Sequence, residues 1–132
     1  MTVGIQRGCS PSQQKPNVFI LHCGLNIKSV ERSCEKLDLA VNIITFRREE
    51  VFTYYVRLAR PSPDLFVIRS HFRPLIDSMN LQRDIPTLVV STHQKPANCR
   101  YPYIQAHQGY EGADSSKLYE QMALAILQKL TI

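Results

Sequence analysis

The sequence lacks the long apolar run that a membrane-spanning helix needs. No stretch approaches the roughly 20 consecutive apolar residues that cross a bilayer. The first sixteen residues are polar and have no apolar core of the kind found in secretion signals. The sequence also contains no N-glycosylation sequon. We therefore expect a cytoplasmic protein with no membrane span, and the nucleus is the alternative location.

Several motifs that would identify a chemistry are also missing. The four cysteines follow no CxxC spacing, so neither a cysteine zinc site nor a dithiol redox site is indicated. In a reducing compartment they should be mostly thiols. There is no glycine-rich nucleotide loop and no G-x-S-x-G elbow, which leaves dinucleotides, nucleoside triphosphates and a hydrolase triad without support. Without a lysine and arginine block or an aromatic RNA-binding motif, nucleic acid is not an expected partner.

The composition that remains is that of one basic globular domain. The chain has 132 residues, of which 44% are apolar, enough to bury a core. Its formal net charge is +5, and such a charge attracts phosphates and acidic surfaces unless it is only a solvated surface. Residues 1–16 contain glycine and proline without periodicity and are predicted to be a flexible tail. Residues 17–132 are predicted to be a single domain.

Short apolar runs alternate with helical patterns along this domain. Strands are predicted at 18–21, 40–46, 64–68, 87–91 and 103–106. Helices are predicted after the capping residue Asn26, over 48–60, from Pro74 and after Asp114. The helix over 48–60 is expected to bury one stripe, formed by Val51, Phe52, Tyr55, Val56 and Ala59. A loop over 93–102 takes the place of a fourth helix. The alternation predicts a three-layer, doubly wound α/β fold of flavodoxin type with strand order 2-1-3-4-5.

This order and length of elements resemble the receiver domain of bacterial response regulators, over roughly residues 17–131. The resemblance implies acids after strand one, an acceptor Asp after strand three, a hydroxyl after strand four and a Lys after strand five. Here strand one ends in His22-Cys23-Gly24 and strand three ends in Arg69-Ser70. Strand five ends near 105–107 without a Lys.

Only the hydroxyl position is matched, by Ser91 or Thr92. Mg²⁺ requires carboxylate oxygens, and Arg69 would put a positive charge near the metal position. We therefore expect a pseudo-receiver that neither binds Mg²⁺ nor accepts a phosphoryl group on Asp.

A narrower resemblance involves the cAMP-specific phosphodiesterases of the eighth family. The residues Arg32-Ser33-Cys34-Glu35-Lys36, which precede a strand, are similar to the first helix of the receiver-like segment in that family. Residues 64–68, with His71 nearby, fit the same segment. The motif Gly8-Cys9-Ser10-Pro11-Ser12 is similar to the acylatable N-terminal motif of that family, which there follows the initiator Met directly. The resemblance implies a regulatory segment, because the hydrolytic metal site lies in another domain.

All four histidines follow predicted strand ends, and in a parallel sheet those ends share one edge. The predicted binding edge comprises His22, Cys23, Arg69, Ser70, His71, Ser91, Thr92, His93 and His107. Imidazole and thiolate are ligands for Zn²⁺, so a metal or small-ligand sensor that uses His22, His71, His93 and His107 is one alternative. The other is that loops of α/β folds simply collect polar residues. Below pH ~6.5 these histidines would add positive charge to the edge.

Cys23 offers a further alternative, a thiol nucleophile in a phosphoryl carrier or a phosphatase-like enzyme. A cysteine between a strand end and a helix N-terminus has a lowered pKa and an anion site beside it. The following residues, however, lack the arginine that ends a C-x5-R phosphatase loop. A buried and inert cysteine is the competing interpretation.

The leading hypothesis is a non-catalytic regulatory domain that binds a protein partner and needs no cofactor. An anionic ligand is a second candidate partner. Three tyrosines near the predicted fifth strand, Tyr101, Tyr103 and Tyr110, are candidate partner contacts, although they would equally serve to cover the edge of the sheet.

Overall fold

The computed structural model describes residues 15–22, 25–79, 85–106 and 116–130, and these residues form a five-stranded parallel sheet. The strands are Asn17–Leu21 (β1), Asn42–Phe46 (β2), Leu65–Arg69 (β3), Thr87–Ser91 (β4) and Tyr103–Gln105 (β5). Their order is β2-β1-β3-β4-β5, and every neighbouring pair is parallel. The predicted flavodoxin-like fold and its strand order are therefore confirmed.

Helices cover both faces of the sheet. They are Ile27–Lys36 (α1), Glu49–Leu58 (α2), Arg73–Ser78 (α3) and Ser116–Leu130 (α4), and a 3-10 turn, Ser70–Phe72, precedes α3. The predicted cap of α1 is present, because the Asn26 side chain accepts a hydrogen bond from the Ser29 backbone N–H at 3.2 Å. Residues 92–102 contain no helix, as the two prolines in this segment predict.

The two faces of the sheet bury different side chains. The face under α1 and α4 is mainly aliphatic and is filled by Val18, Ile20, Val67 and Met122, among others. The face under α2 and α3 is rich in phenylalanine, and the rings of Phe19 and Phe46 lie 5.1 Å apart. Because β1, β3 and β4 are covered on both faces, their sequences read as continuous apolar runs rather than as alternating patterns.

The predicted stripe on α2 is partly wrong. Phe52 and Val56 are buried, whereas Val51 and Tyr55 are 40% and 38% exposed. Successive residues of a helix are rotated by about 100°, so Val51 and Tyr55 lie well away from the inward-facing pair. Ala59 falls outside the helix, where it ends α2 in a left-handed conformation with φ of 55°.

The remaining predicted boundaries shift little. Residues 40 and 41 precede β2, and β3 begins at Leu65 and extends to Arg69. The predicted tail lies outside the described residues, apart from residues 15 and 16. The predicted cap of α4 at 114–115 also lies outside them.

Candidate functional site

The carboxyl ends of four strands meet along one side of the sheet. We call this side the carboxyl edge, and its described residues are His22, Arg69, Ser70, His71, Ser91, Thr92, His93, Gln105 and Ala106. The register aligns these ends directly, because Arg69 pairs with Val90 and Ser91 pairs with Gln105. The predicted grouping of the segments near 22, 70, 92 and 106 on one edge therefore follows from the observed topology.

His22 is the buried member of the carboxyl edge, with only 5% of its surface exposed. The pKa of His22 is lowered from 6.5 to about 4, mainly by burial and secondly by the positive charge of Arg69. A hydrogen bond with the backbone of Val90 acts in the opposite direction without reversing the shift. His22 is therefore neutral at pH 7, and the expectation that it gains a proton near pH 6.5 is wrong.

Two serine hydroxyls form a hydrogen bond where the carboxyl ends of β3 and β4 meet. The Oγ atoms of Ser70 and Ser91 lie 2.9 Å apart, and the backbone N–H of His93 donates to the Ser91 Oγ at 3.1 Å. Ser91 is only 3% exposed. Its hydroxyl occupies the position that the receiver resemblance assigns to a Ser or Thr, but here it holds together the turns that follow two strands.

The exposed part of the carboxyl edge is basic. Arg69 and His71 are both exposed, and the ring of His71 lies against Phe72 with centroids 3.9 Å apart. Among the described residues, those that directly follow β1, β3, β4 and β5 include no Asp or Glu. This part of the edge can therefore attract an anion, and it offers no carboxylate cage for Mg²⁺.

The loop over residues 92–102 is fixed to the body of the domain by three side chains. Arg100 donates to the Asp77 carboxylate of α3 at 3.3 Å, and the Tyr101 hydroxyl donates to the same carboxylate. Arg100 also lies over the Tyr101 ring, 5.2 Å from its centroid. The segment that replaces a fourth helix is thus held by a defined contact with α3.

The two described tyrosines of the predicted interaction surface have internal partners for their hydroxyls. Tyr101 contacts Asp77, and the Tyr103 hydroxyl donates to the His93 carbonyl at 2.9 Å. Both side chains pack partly against the aromatic cluster under α2 and α3. These contacts show that the tyrosines cover the edge of the sheet, and their contact with a partner stays a prediction. Tyr110 lies outside the described residues.

Sequence reasoning did not identify Asp77, Arg100 or Tyr119 as residues that hold the site together. The Tyr119 hydroxyl of α4 accepts the Asn26 backbone N–H at 2.9 Å and so joins α4 to the start of α1. Tyr119 lies next to Leu118 in the predicted apolar stripe that also contains Met122. This position was the one feature of the sequence that could have identified Tyr119. Asp77 and Arg100 are 23 residues apart and show no local pattern.

The metal and thiol alternatives depend on residues that the structure does not describe. Within the described ranges, no group of three histidine, cysteine, aspartate or glutamate side chains is placed to hold a metal ion. His107 and Cys23 lie outside those ranges, so their predicted roles stay predictions. The two described cysteines, Cys34 and Cys99, are buried free thiols, and burial raises the pKa of Cys34. Cys34 is therefore a weak nucleophile.

Comparisons with protein-family models, curated proteins and solved structures found no match to this chain. Among the helices of the described residues, none has the length and apolar character needed to cross a membrane.

Proposed function

We propose that this chain is a non-catalytic regulatory domain of pseudo-receiver type that binds an acidic segment of a protein partner at its carboxyl edge. The observation that carries the proposal is Arg69, which ends β3 at the centre of the sheet and projects an exposed guanidinium. In the described part of the chain Arg69 makes no ion pair. Its charge is therefore available to a partner.

The position of Arg69 also supports the non-catalytic part of the proposal. Where the receiver resemblance calls for an acceptor carboxylate, this chain has a permanent cation that repels Mg²⁺. Phosphoryl transfer to Asp requires both the carboxylate and the metal. In a parallel α/β fold of this strand order, ligands gather at the carboxyl ends where the order reverses, between β1 and β3. Arg69 lies at this place, so a binding function fits the fold.

An acidic peptide tests the proposal directly. A labelled decapeptide of glutamate and serine is titrated into the full chain at low and physiological salt, and binding is followed by fluorescence anisotropy. We expect salt-sensitive binding, and we expect Arg69→Glu to weaken it about tenfold, the effect of losing about 1.4 kcal/mol. The matched control, Arg32→Glu, reverses an exposed arginine of α1 and should change affinity less than about twofold.

Two results would contradict the proposal. One is the absence of measurable binding to the acidic peptide, or binding of the analogous lysine peptide with equal or higher affinity. The other is equal weakening by Arg32→Glu and Arg69→Glu, because this would assign the binding to net charge and not to the carboxyl edge.

A further inference from the structure

One face of α2 leaves large apolar and aromatic side chains partly exposed to solvent. Val51, Tyr54, Tyr55 and Leu58 are 40%, 62%, 38% and 44% exposed. Their spacing of three, one and three residues places them on one stripe, as in the seam of a helix that packs against another helix. This stripe is distinct from the buried pair Phe52 and Val56. We call these four residues the outer stripe of α2.

Ring contacts within the domain hold the outer stripe in place. The rings of Tyr54 and Tyr55 meet edge to face with centroids 5.4 Å apart. Tyr55 in turn lies 5.8 Å from Phe46, which belongs to the core. Because each ring already contacts another ring of the domain, we expect a partner that covers them to lose less side-chain entropy than it would with isolated side chains.

The charges beside the outer stripe indicate what covers it. Glu50 and Arg57 lie seven residues apart, so they occupy the same flank of the helix at opposite ends, about 10 Å apart along the axis. Arg57 makes no ion pair among the described residues. In the described ranges, the one ion pair of Glu50 is with Arg48, an exposed pair at 3.5 Å that contributes little to stability. The flank is therefore negative near the start of α2 and positive near its end.

We propose that the outer stripe of α2 is a homodimer interface in which two copies of α2 pack antiparallel about a two-fold axis near residues 54 and 55. This arrangement places Val51 opposite Leu58 of the second copy and Tyr54 opposite Tyr55. Antiparallel helices bring the same flanks together, so Glu50 of each copy faces Arg57 of the other. A parallel pair would instead place the Glu50 and Arg57 flanks of the two copies on opposite sides of the interface, where they could not pair.

The length of α2 sets the strength of this dimer. Ten residues extend about 15 Å, which is short for a helix interface. An interface below about 1,200 Å² is typical of transient association, so the expected dissociation constant is in the micromolar range. The outer stripe is a different surface from the carboxyl edge at Arg69, so this proposal does not depend on the proposed function.

Sedimentation velocity of the full chain over a concentration series from about 1 to 300 µM tests the interface, because this range spans a micromolar dissociation constant. We expect a concentration-dependent dimer. Tyr54→Lys should raise the dissociation constant at least tenfold by placing charges at the two-fold axis. Leu124→Lys is the matched control, because Leu124 is an equally apolar residue, 47% exposed, on α4. It should leave the dimer intact, as should Arg69→Glu.

A charge exchange tests the antiparallel geometry. Glu50→Arg alone and Arg57→Glu alone should each dissociate the dimer, because each opposes like charges at both ends of the interface. An equimolar mixture of the two variants should form a heterodimer with both contacts restored.

A wild-type chain that stays monomeric throughout the series would overturn the proposal and would mean that the outer stripe is covered in another way or not at all. Dissociation by Leu124→Lys would assign the dimer to another surface. A mixture of charge variants that stays monomeric would overturn the antiparallel arrangement.

Discussion

The two ends of the parallel sheet use polar side chains in opposite ways. At the amino end, Asn17, Asn42 and Asp64 satisfy one another. The Asn17 backbone N–H donates to the Asp64 carboxylate at 2.8 Å, and the Asn42 side-chain amide donates to the Asn17 side-chain oxygen at 3.1 Å. The Asn17 side-chain amide completes the network by donating to the Ser62 carbonyl at 3.0 Å.

At the carboxyl edge, by contrast, the hydroxyls of Ser70 and Ser91 pair with each other, but Arg69 has no carboxylate partner among the described residues. Arg69 is an exposed cation, and the nearby His22 is buried in its neutral form. Polar groups that pair with one another stabilise a fold. Arg69 has no such pair, and the neutral His22 does not compensate its charge, so that charge remains available to a ligand. The comparison indicates a structural role for the amino end and agrees with the binding role that we propose for the carboxyl edge.

The largest expected difference between the two ends of the sheet is in how stability depends on pH. At the carboxyl edge, His22 should make the free energy of unfolding pH-dependent. The pKa of His22 is about 4 in the folded chain and 6.5 without the fold, so the unfolded chain binds the proton first as the pH falls. Folded stability is therefore lost between pH 6.5 and pH 4. Since each pKa unit corresponds to about 1.4 kcal/mol, the loss is on the order of 3 kcal/mol.

Urea unfolding at several pH values measures this loss. His22→Phe keeps a ring in the site and removes the titration, so its stability should fall less steeply than that of the wild type between pH 6.5 and pH 4. Gln94→Ala, an exposed change in the loop that follows β4, should keep the wild-type slope. Equal slopes for the wild type and His22→Phe would show that His22 is not desolvated as described.

A smaller effect should come from breaking the amino-end network at Asp64. Asp64→Ala removes the acceptor of the Asn17 backbone N–H and leaves that partly buried donor unsatisfied, at a cost of about 1–3 kcal/mol. Asp64→Asn keeps an acceptor oxygen and should lose less. Both values come from urea unfolding at pH 7. A loss of equal size in the two variants would mean that the charge of Asp64, and not its acceptor oxygen, is what matters.

The fold could be predicted because its parallel strands are covered on both faces. Each central strand then appears as a short apolar run, and for this reason the predicted bounds of β4 match those observed. The strand order follows from right-handed crossovers between alternating elements. The absence of a helix over 92–102 was visible in Pro96 and Pro102.

The side-chain environment of the site was harder to predict. His22 lies two residues after Ile20 and so continues the face that α1 and α4 cover, but the sequence does not show how far that cover extends. On α2, apolar residues occupy both faces, and periodicity alone does not distinguish the inward face from the outward one. The contact between Asp77 and Arg100 depends on the path of a loop, which no local pattern encodes.

The smallest effect on stability should come from replacing Arg69. A small change in the free energy of unfolding would itself support the comparison. Arg69 is exposed and pairs with no carboxylate among the described residues, so Arg69→Met should change stability at pH 7 by less than about 0.5 kcal/mol. Arg69→Met also removes a positive charge that lowers the pKa of His22.

The His22 titration midpoint, measured by NMR, should therefore move upward in Arg69→Met. The loss of stability between pH 6.5 and pH 4 should become smaller for the same reason. Arg32→Met, on α1, should leave that midpoint in place. An exposed cation that binds a ligand contributes little to the stability of the free protein. If Arg69→Met instead lowered the free energy of unfolding by more than about 1 kcal/mol at pH 7, Arg69 would have a structural role like that of the paired residues at the amino end.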